Sequence, residues 1–149
     1  AHPHGAHQGR QLISVQSNAR LAPSLGVSRR EVSVILGACL QALDIHDLDV
    51  DLELTDDARM EELNSLHSGL PGPTNVLSYP AEDSDDTGQM IISIPQVERE
   101  AFLYGQDSIV HLVRLMCHGL LHLAGMEHSQ EMYDMTEDAV ENVLESLPE

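Results

Sequence analysis

The chain contains no lysine and no tryptophan, one phenylalanine and three tyrosines among its 149 residues, and only two cysteines. Each shortage excludes something. Seven arginines against 25 acidic residues give a formal net charge of −18, which excludes a surface that binds nucleic acid through general positive charge, because phosphate backbones are held by clustered cations. A polyanionic substrate would need a local patch of arginine and metal inside a repulsive overall field. Acidic, lysine-free surfaces also suit a high-salt environment, where a Debye length of about 3 Å at 1 M screens the repulsion. Cys39 and Cys117 fall in segments that read as buried helices, with neither the spacing of a disulfide framework nor that of a zinc ribbon, so both are expected to be reduced core residues. Apolar runs stop short of the roughly 20 residues that cross a bilayer, and the first residues lack the apolar stretch of a secretory signal. A soluble, cytoplasmic protein is expected. With aromatics at 3% and hydrophobic residues at 42%, the core must be built from Leu, Val, Ile, Met and Ala, and the length suits one domain.

Residues 1–10, with His2, His4 and His7 and no periodic apolar pattern, read as a flexible tail ahead of a domain over 11–149. Leu12, Ile13 and Val15 suggest a first strand. Ser28-Arg-Arg-Glu31 is a capping box that opens a helix to about Leu43. Leu48, Val50, Leu52 and Leu54 alternate with Asp47, Asp49, Asp51 and Glu53, the two-residue period of a strand with one wet face. Thr55-Asp-Asp should open a second helix, ended by Gly69, Pro71 and Pro73. Asn75 to Pro80 is extended, the acidic stretch Glu82 to Gly88 reverses the chain, and Met90 to Ile94 is a continuously apolar buried strand. Three helices follow, over about Val97 to Tyr104, Asp107 to Leu123 and Glu131 to Leu147. This order favours an α+β fold, a small mixed sheet covered by helices.

The chemistry concentrates in His118-Gly-Leu-Leu-His122-Leu-Ala-Gly125-Met-Glu-His128. His118 and His122, four residues apart in a helix, share one face about 6 Å apart along the axis, which lets both imidazoles reach one zinc-type ion at about 2.0–2.1 Å. Gly125 supplies the freedom to end the helix and turn back, so that His128 reaches the same ion from outside it. The site therefore sits at the end of a buried helix. Three protein ligands leave an open position, as catalytic rather than structural zinc sites do. Cys117, next to His118, would point roughly 100° away around the helix. His111 lies on the same helical face seven residues earlier and reads as a hydrogen-bonded core or rim residue, and His46 as a loop residue. The spacing H-x-x-x-H-x-x-G-x-x-H also occurs in metzincin proteases, which place a general-base Glu directly after the first His. Here that residue is Gly119, so peptide hydrolysis is disfavoured.

With its flanks, Arg114 to His128 resembles the metal-binding signature of the YbeY family, bacterial metal-dependent endoribonucleases of rRNA maturation. Leu63-Asn64 followed by Pro73-Thr-Asn-Val-Leu-Ser-Tyr-Pro80 is similar to that family's other signature, and Met90-Ile-Ile-Ser93 stands where its next strand would be. The likeness extends over about Leu12 to Leu147. It implies a compact α+β domain, zinc (or another divalent ion) on His118, His122 and His128, and cleavage of single-stranded RNA in 16S rRNA 3′-end processing and ribosome quality control. Ribosomal RNA and the ribosomal subunit or its associated proteins are the implied partners. The chain departs from the pattern at Ser68, where the family usually has an arginine beside the metal cleft, and at His67, which replaces an aromatic. Gln89 stands at a commonly acidic position, and Met126-Glu127 replaces a Tyr-Asp pair.

Metal-assisted phosphodiester hydrolysis is the expected mechanism, with Arg59 or Arg114 as phosphate contacts and His67 as a substitute donor at the Ser68 position. Thr74, Asn75 and Ser78 are candidate cleft residues, with turn and capping roles competing. Two other readings stand beside this one. One is a metal-containing ribosome-associated factor with little or no catalysis, and the other a metal-dependent hydrolase of a non-nucleic substrate.

Overall fold

A computed structural model describes residues 11–17, 25–68, 75–81 and 87–147. Among these, alternation sets the middle of the sheet. In β2 (Val50–Thr55) Val50, Leu52 and Leu54 are fully buried while Asp51 and Glu53 stay half-buried. Each fully buried aliphatic side chain of this kind stabilises by about 1.5–3 kcal/mol. β1 (Ile13–Ser17) pairs parallel with β2, and β4 (Gly88–Ser93) pairs parallel with its other edge. β3 (Val76–Tyr79) closes the far side of β4 in the antiparallel sense, giving the order β1-β2-β4-β3. Met90, Ile91, Ile92 and Ser93 are consecutively buried, as the continuous apolar run requires of a strand covered on both faces.

Five helices lie among the described residues: α1 (Arg29–Ala42), α2 (Asp57–Ser68), α3 (Ile94–Tyr104), α4 (Ser108–Leu123) and α5 (Gln130–Ser146). The capping box at Ser28 forms as its sequence dictates, with the hydroxyl accepting from the Glu31 amide and the Glu31 carboxylate accepting from the Ser28 amide. Two boundaries shift. Thr55 belongs to β2, and Asp56 caps α2 by accepting the Arg59 amide. Ile94 opens α3 rather than closing β4. Ser93 caps that helix, and Pro95 sits in its first turn, where a missing amide proton costs nothing. The outcome is a single small α+β domain. The proposed 1–10 tail, the acidic reversal at 82–86 and Thr74 lie outside the described residues.

α4 holds the fold together. It packs on β3, β4, α1, α3 and α5, and ten of its sixteen residues are buried, so what it projects is held firmly. Cys39 of α1 meets Cys117 of α4 in the core. Both are reduced, and a hydrogen bond between them, together with burial, pushes the Cys39 thiol up, away from reactivity.

Candidate metal centre and cleft

The last two turns of α4 carry His118 and His122, and the chain then reverses through a Schellman ending. The Met126 amide bonds to the Leu121 carbonyl and the Gly125 amide to the His122 carbonyl, with Gly125 at φ +95°, a conformation that side chains rarely adopt. This turn brings His128 back. The three Nε2 atoms form a triangle with every side 3.2 Å. Three ring nitrogens this close cannot all be donor–acceptor pairs, since each carries either one proton or one lone pair. A tetrahedral ion with bonds of about 2.0–2.1 Å would need ligand atoms roughly 3.3 Å apart. The residues present therefore fit one small divalent cation, and the triad is a group that could hold a metal ion. The Met126 backbone lies close enough to the His122 ring to favour its protonated form.

Burial lowers the pKa of His118, and the neighbouring imidazoles of His122 and His128 lower it further. Burial likewise lowers that of His122, with His128 adding to it and the Met126 hydrogen bond opposing. Neutral imidazoles are what a metal requires. In the metal-free protein these shifts have a sign. The unfolded chain takes up protons at both residues near 6.5, the ordinary value, while the folded chain does so only at lower pH. The stability contributed is full above about 6.5 and is lost as pH falls through the folded values. Thermal melts of chelator-treated protein are expected to show a falling melting temperature from pH 7 to 5.5. A His118→Asn/His122→Asn variant should show a smaller fall, and an equal fall in both proteins would contradict this account.

Gly119 follows the first ligand. A Cβ there would lie 2.3 Å from Met90 Sδ and 3.1 Å from Ser78 Oγ, because this side of α4 lies against the sheet. The Ser78 hydroxyl donates to the Gly119 carbonyl at 3.2 Å. The position that carries a general base in metzincins is here one where helix and sheet approach too closely for a side chain.

The triad opens into a cleft of about 770 Å³. β3 and its flanks form one wall, with Asn75, Val76, Leu77, Ser78 and Pro80, and α5 forms the opposite one. Arg114 lines the cleft from α4, but its guanidinium is engaged. Nε and one terminal nitrogen donate to the two Glu137 oxygens at 2.8 and 3.1 Å, and the other terminal nitrogen to Gln106 at 2.7 Å. That pairing raises its pKa and leaves little uncompensated positive charge. Asn75 is tied at both ends, donating to Glu100 at 3.1 Å and accepting from the Val76 amide at 2.7 Å. Glu100 also bonds the buried His111 at 2.7 Å and accepts from Gln96 at 3.1 Å. Burial alone would raise the Glu100 pKa, but these hydrogen bonds outweigh it and hold the group lowered. His111 is thus a hydrogen-bonded buried residue, as its place in the sequence suggests, and it stiffens the wall that carries Asn75.

Arg59 is bound to Glu53 and Glu62, each at 3.3 Å, and is not among the residues lining the cleft. His67 and Ser68 fall in the last turn of α2, and their side chains lie outside the described set, as does Thr74. Sequence reasoning missed the α5 wall. Ser129, Tyr133 and Glu137 recur every four residues and line the cleft, a polar helical stripe that apolar periodicity does not single out.

A mixed sheet backed by a buried helix, whose end presents three convergent imidazoles to a cleft, makes this a protein of the metal-binding class with an open coordination position. The family model "Endoribonuclease YbeY" matches residues 18–147. An Endoribonuclease YbeY of Oleidesulfovibrio alaskensis is 37% identical over 85% of this chain and 89% of its own length. One of Nitratidesulfovibrio vulgaris is 33% identical over 89% and 94%. A Thermotoga maritima protein solved in solution superposes with a TM-score of 0.64 at 25% identity, covering 90% of both chains. The chain belongs to the YbeY endoribonuclease family. No helix among the described residues is long and apolar enough to cross a membrane.

Proposed function

We propose that this protein is a zinc-dependent endoribonuclease that cuts single-stranded RNA in the maturation of the 16S rRNA 3′ end and in ribosome quality control, acting in the cytoplasm on ribosomal RNA and subunits. The observation that carries the reading is the triangle of Nε2 atoms, 3.2 Å on each side, open to the cleft. The endoribonuclease names of the relatives support the reaction class. His118, His122 and His128 hold the ion. Zinc there supplies Lewis acidity to a phosphoryl oxygen and acidifies water near neutral pH. Arg114 presents a fixed guanidinium edge to a phosphate, held by Glu137 and Gln106. Ser78 and Asn75 shape the β3 wall through bonds already made within the protein. His67, Ser68 and Thr74 stand as further substrate contacts in this proposal; Arg59, paired with Glu53 and Glu62 and outside the cleft lining, is not retained among them.

A second reading, a metal-containing ribosome-associated factor with weak catalysis, is favoured by one observation: the Arg114 charge in the cleft is already paired with Glu137. The test uses a precursor RNA carrying the 16S 3′ end, single-stranded and annealed to a complement. Internal cleavage of the single strand that stops with chelator and returns with zinc is expected. Binding to ribosomal subunits without cleavage would replace the first reading with the second.

A further inference from the structure

The α5 wall contains one feature that metal binding does not use. Tyr133 is 61% exposed yet lines the cleft beside Arg114, one helical turn after Ser129 and one before Glu137. The chain has four Phe and Tyr residues and no tryptophan. Tyr79 has its hydroxyl buried, Tyr104 packs edge-on against His111, and Phe102 lies on α3 away from the cleft. Among the described residues, Tyr133 is the aromatic ring that lines the metal cleft.

The charge balance gives that ring its importance. A protein of net charge −18 repels RNA, and the cleft arginine is offset by Glu137. Phosphate contacts are therefore a poor source of affinity here. Stacking of a base on an aromatic face is indifferent to net charge and contributes substantially per base. It also selects single strands, because a duplex keeps its base faces covered.

We propose that Tyr133 is the stacking platform for a nucleobase next to the scissile phosphate, and that it sets both the affinity and the single-strand preference of the cleft. This rests on the endoribonuclease reading. Binding should then respond weakly to salt, with a logarithmic slope of about −0.7 per phosphate contact and about one such contact.

Tyr133→Trp places the only tryptophan in the protein at this position. With chelator present, so that the oligonucleotide stays intact, a short oligoadenylate is expected to quench its fluorescence, and inorganic polyphosphate at equal phosphate concentration is not. In cleavage assays with zinc, Tyr133→Ala should raise KM about 5- to 150-fold, from a stacking contribution of about 1–3 kcal/mol per base, with kcat within about twofold. Tyr133→Phe, which keeps the ring, should restore KM. Quenching by polyphosphate equal to that by oligoadenylate would overturn the proposal. So would an unchanged KM in Tyr133→Ala while the wild type cleaves RNA, and in that case the family reading would stand. A wild type that neither binds nor cleaves single-stranded RNA would overturn both.

Discussion

Gly119→Glu is expected to destabilise the protein by about 4 kcal/mol or more and to confer no peptidase activity. The substitution restores the residue that metzincins use as general base, yet the added Cβ would sit 2.3 Å from Met90 Sδ. Met90 is fully buried and faces Leu52 and Ser78 across its two neighbouring strands, so it has little room to yield. Overpacking of this kind costs about 1–3 kcal/mol, and burying a carboxylate with no partner adds several more. Against a total stability of about 5–15 kcal/mol for a domain, the loss is large. Denaturant unfolding monitored by circular dichroism measures it. A stable Gly119→Glu protein that cleaves peptides would show that α4 can lift from the sheet. Gly119→Ala should cost less, because alanine's helix propensity recovers up to about 1 kcal/mol.

His122→Ala is expected to lower metal affinity by more than about 100-fold and to abolish RNA cleavage at limiting zinc. Loss of an outer-shell partner alone typically costs about 10–100-fold, and here a ligand itself is removed from a set of three. The fold should survive. His122 is half-buried at the end of α4, and the Schellman bonds that end the helix are made by backbone atoms. Calorimetric zinc titration measures the affinity, and circular dichroism verifies the fold. Unaltered zinc affinity in a folded variant would remove His122 from the site.

Much of this was legible in the chain. The alternation of Val50, Leu52 and Leu54, the box at Ser28 and the run from Met90 specified strands and caps through local chemistry. The triad was legible because its spacing encodes geometry: four residues for one helical face, then a glycine where φ must be positive. One miss was local and the others were not. Ser93 and Pro95 convert the end of an apolar run into a helix start, and apolar periodicity alone does not separate the two. Gly119 reads as a missing base until Met90 is seen opposite it. The engagement of Arg114 by Glu137, 23 residues away, depends on how α5 lies on α4. Tyr133 and Glu137 carry no signal in the sequence, because a cleft wall has the same polar pattern as a helix surface.

The claim that the three histidines form one metal site is tested most directly by elemental analysis of the purified protein, freed of any affinity tag, beside His118→Ala, His122→Ala and His128→Ala. One equivalent of zinc in the wild type, lost in each variant, is the predicted result. A wild type that takes up no divalent metal, or variants that keep a full equivalent, would contradict it.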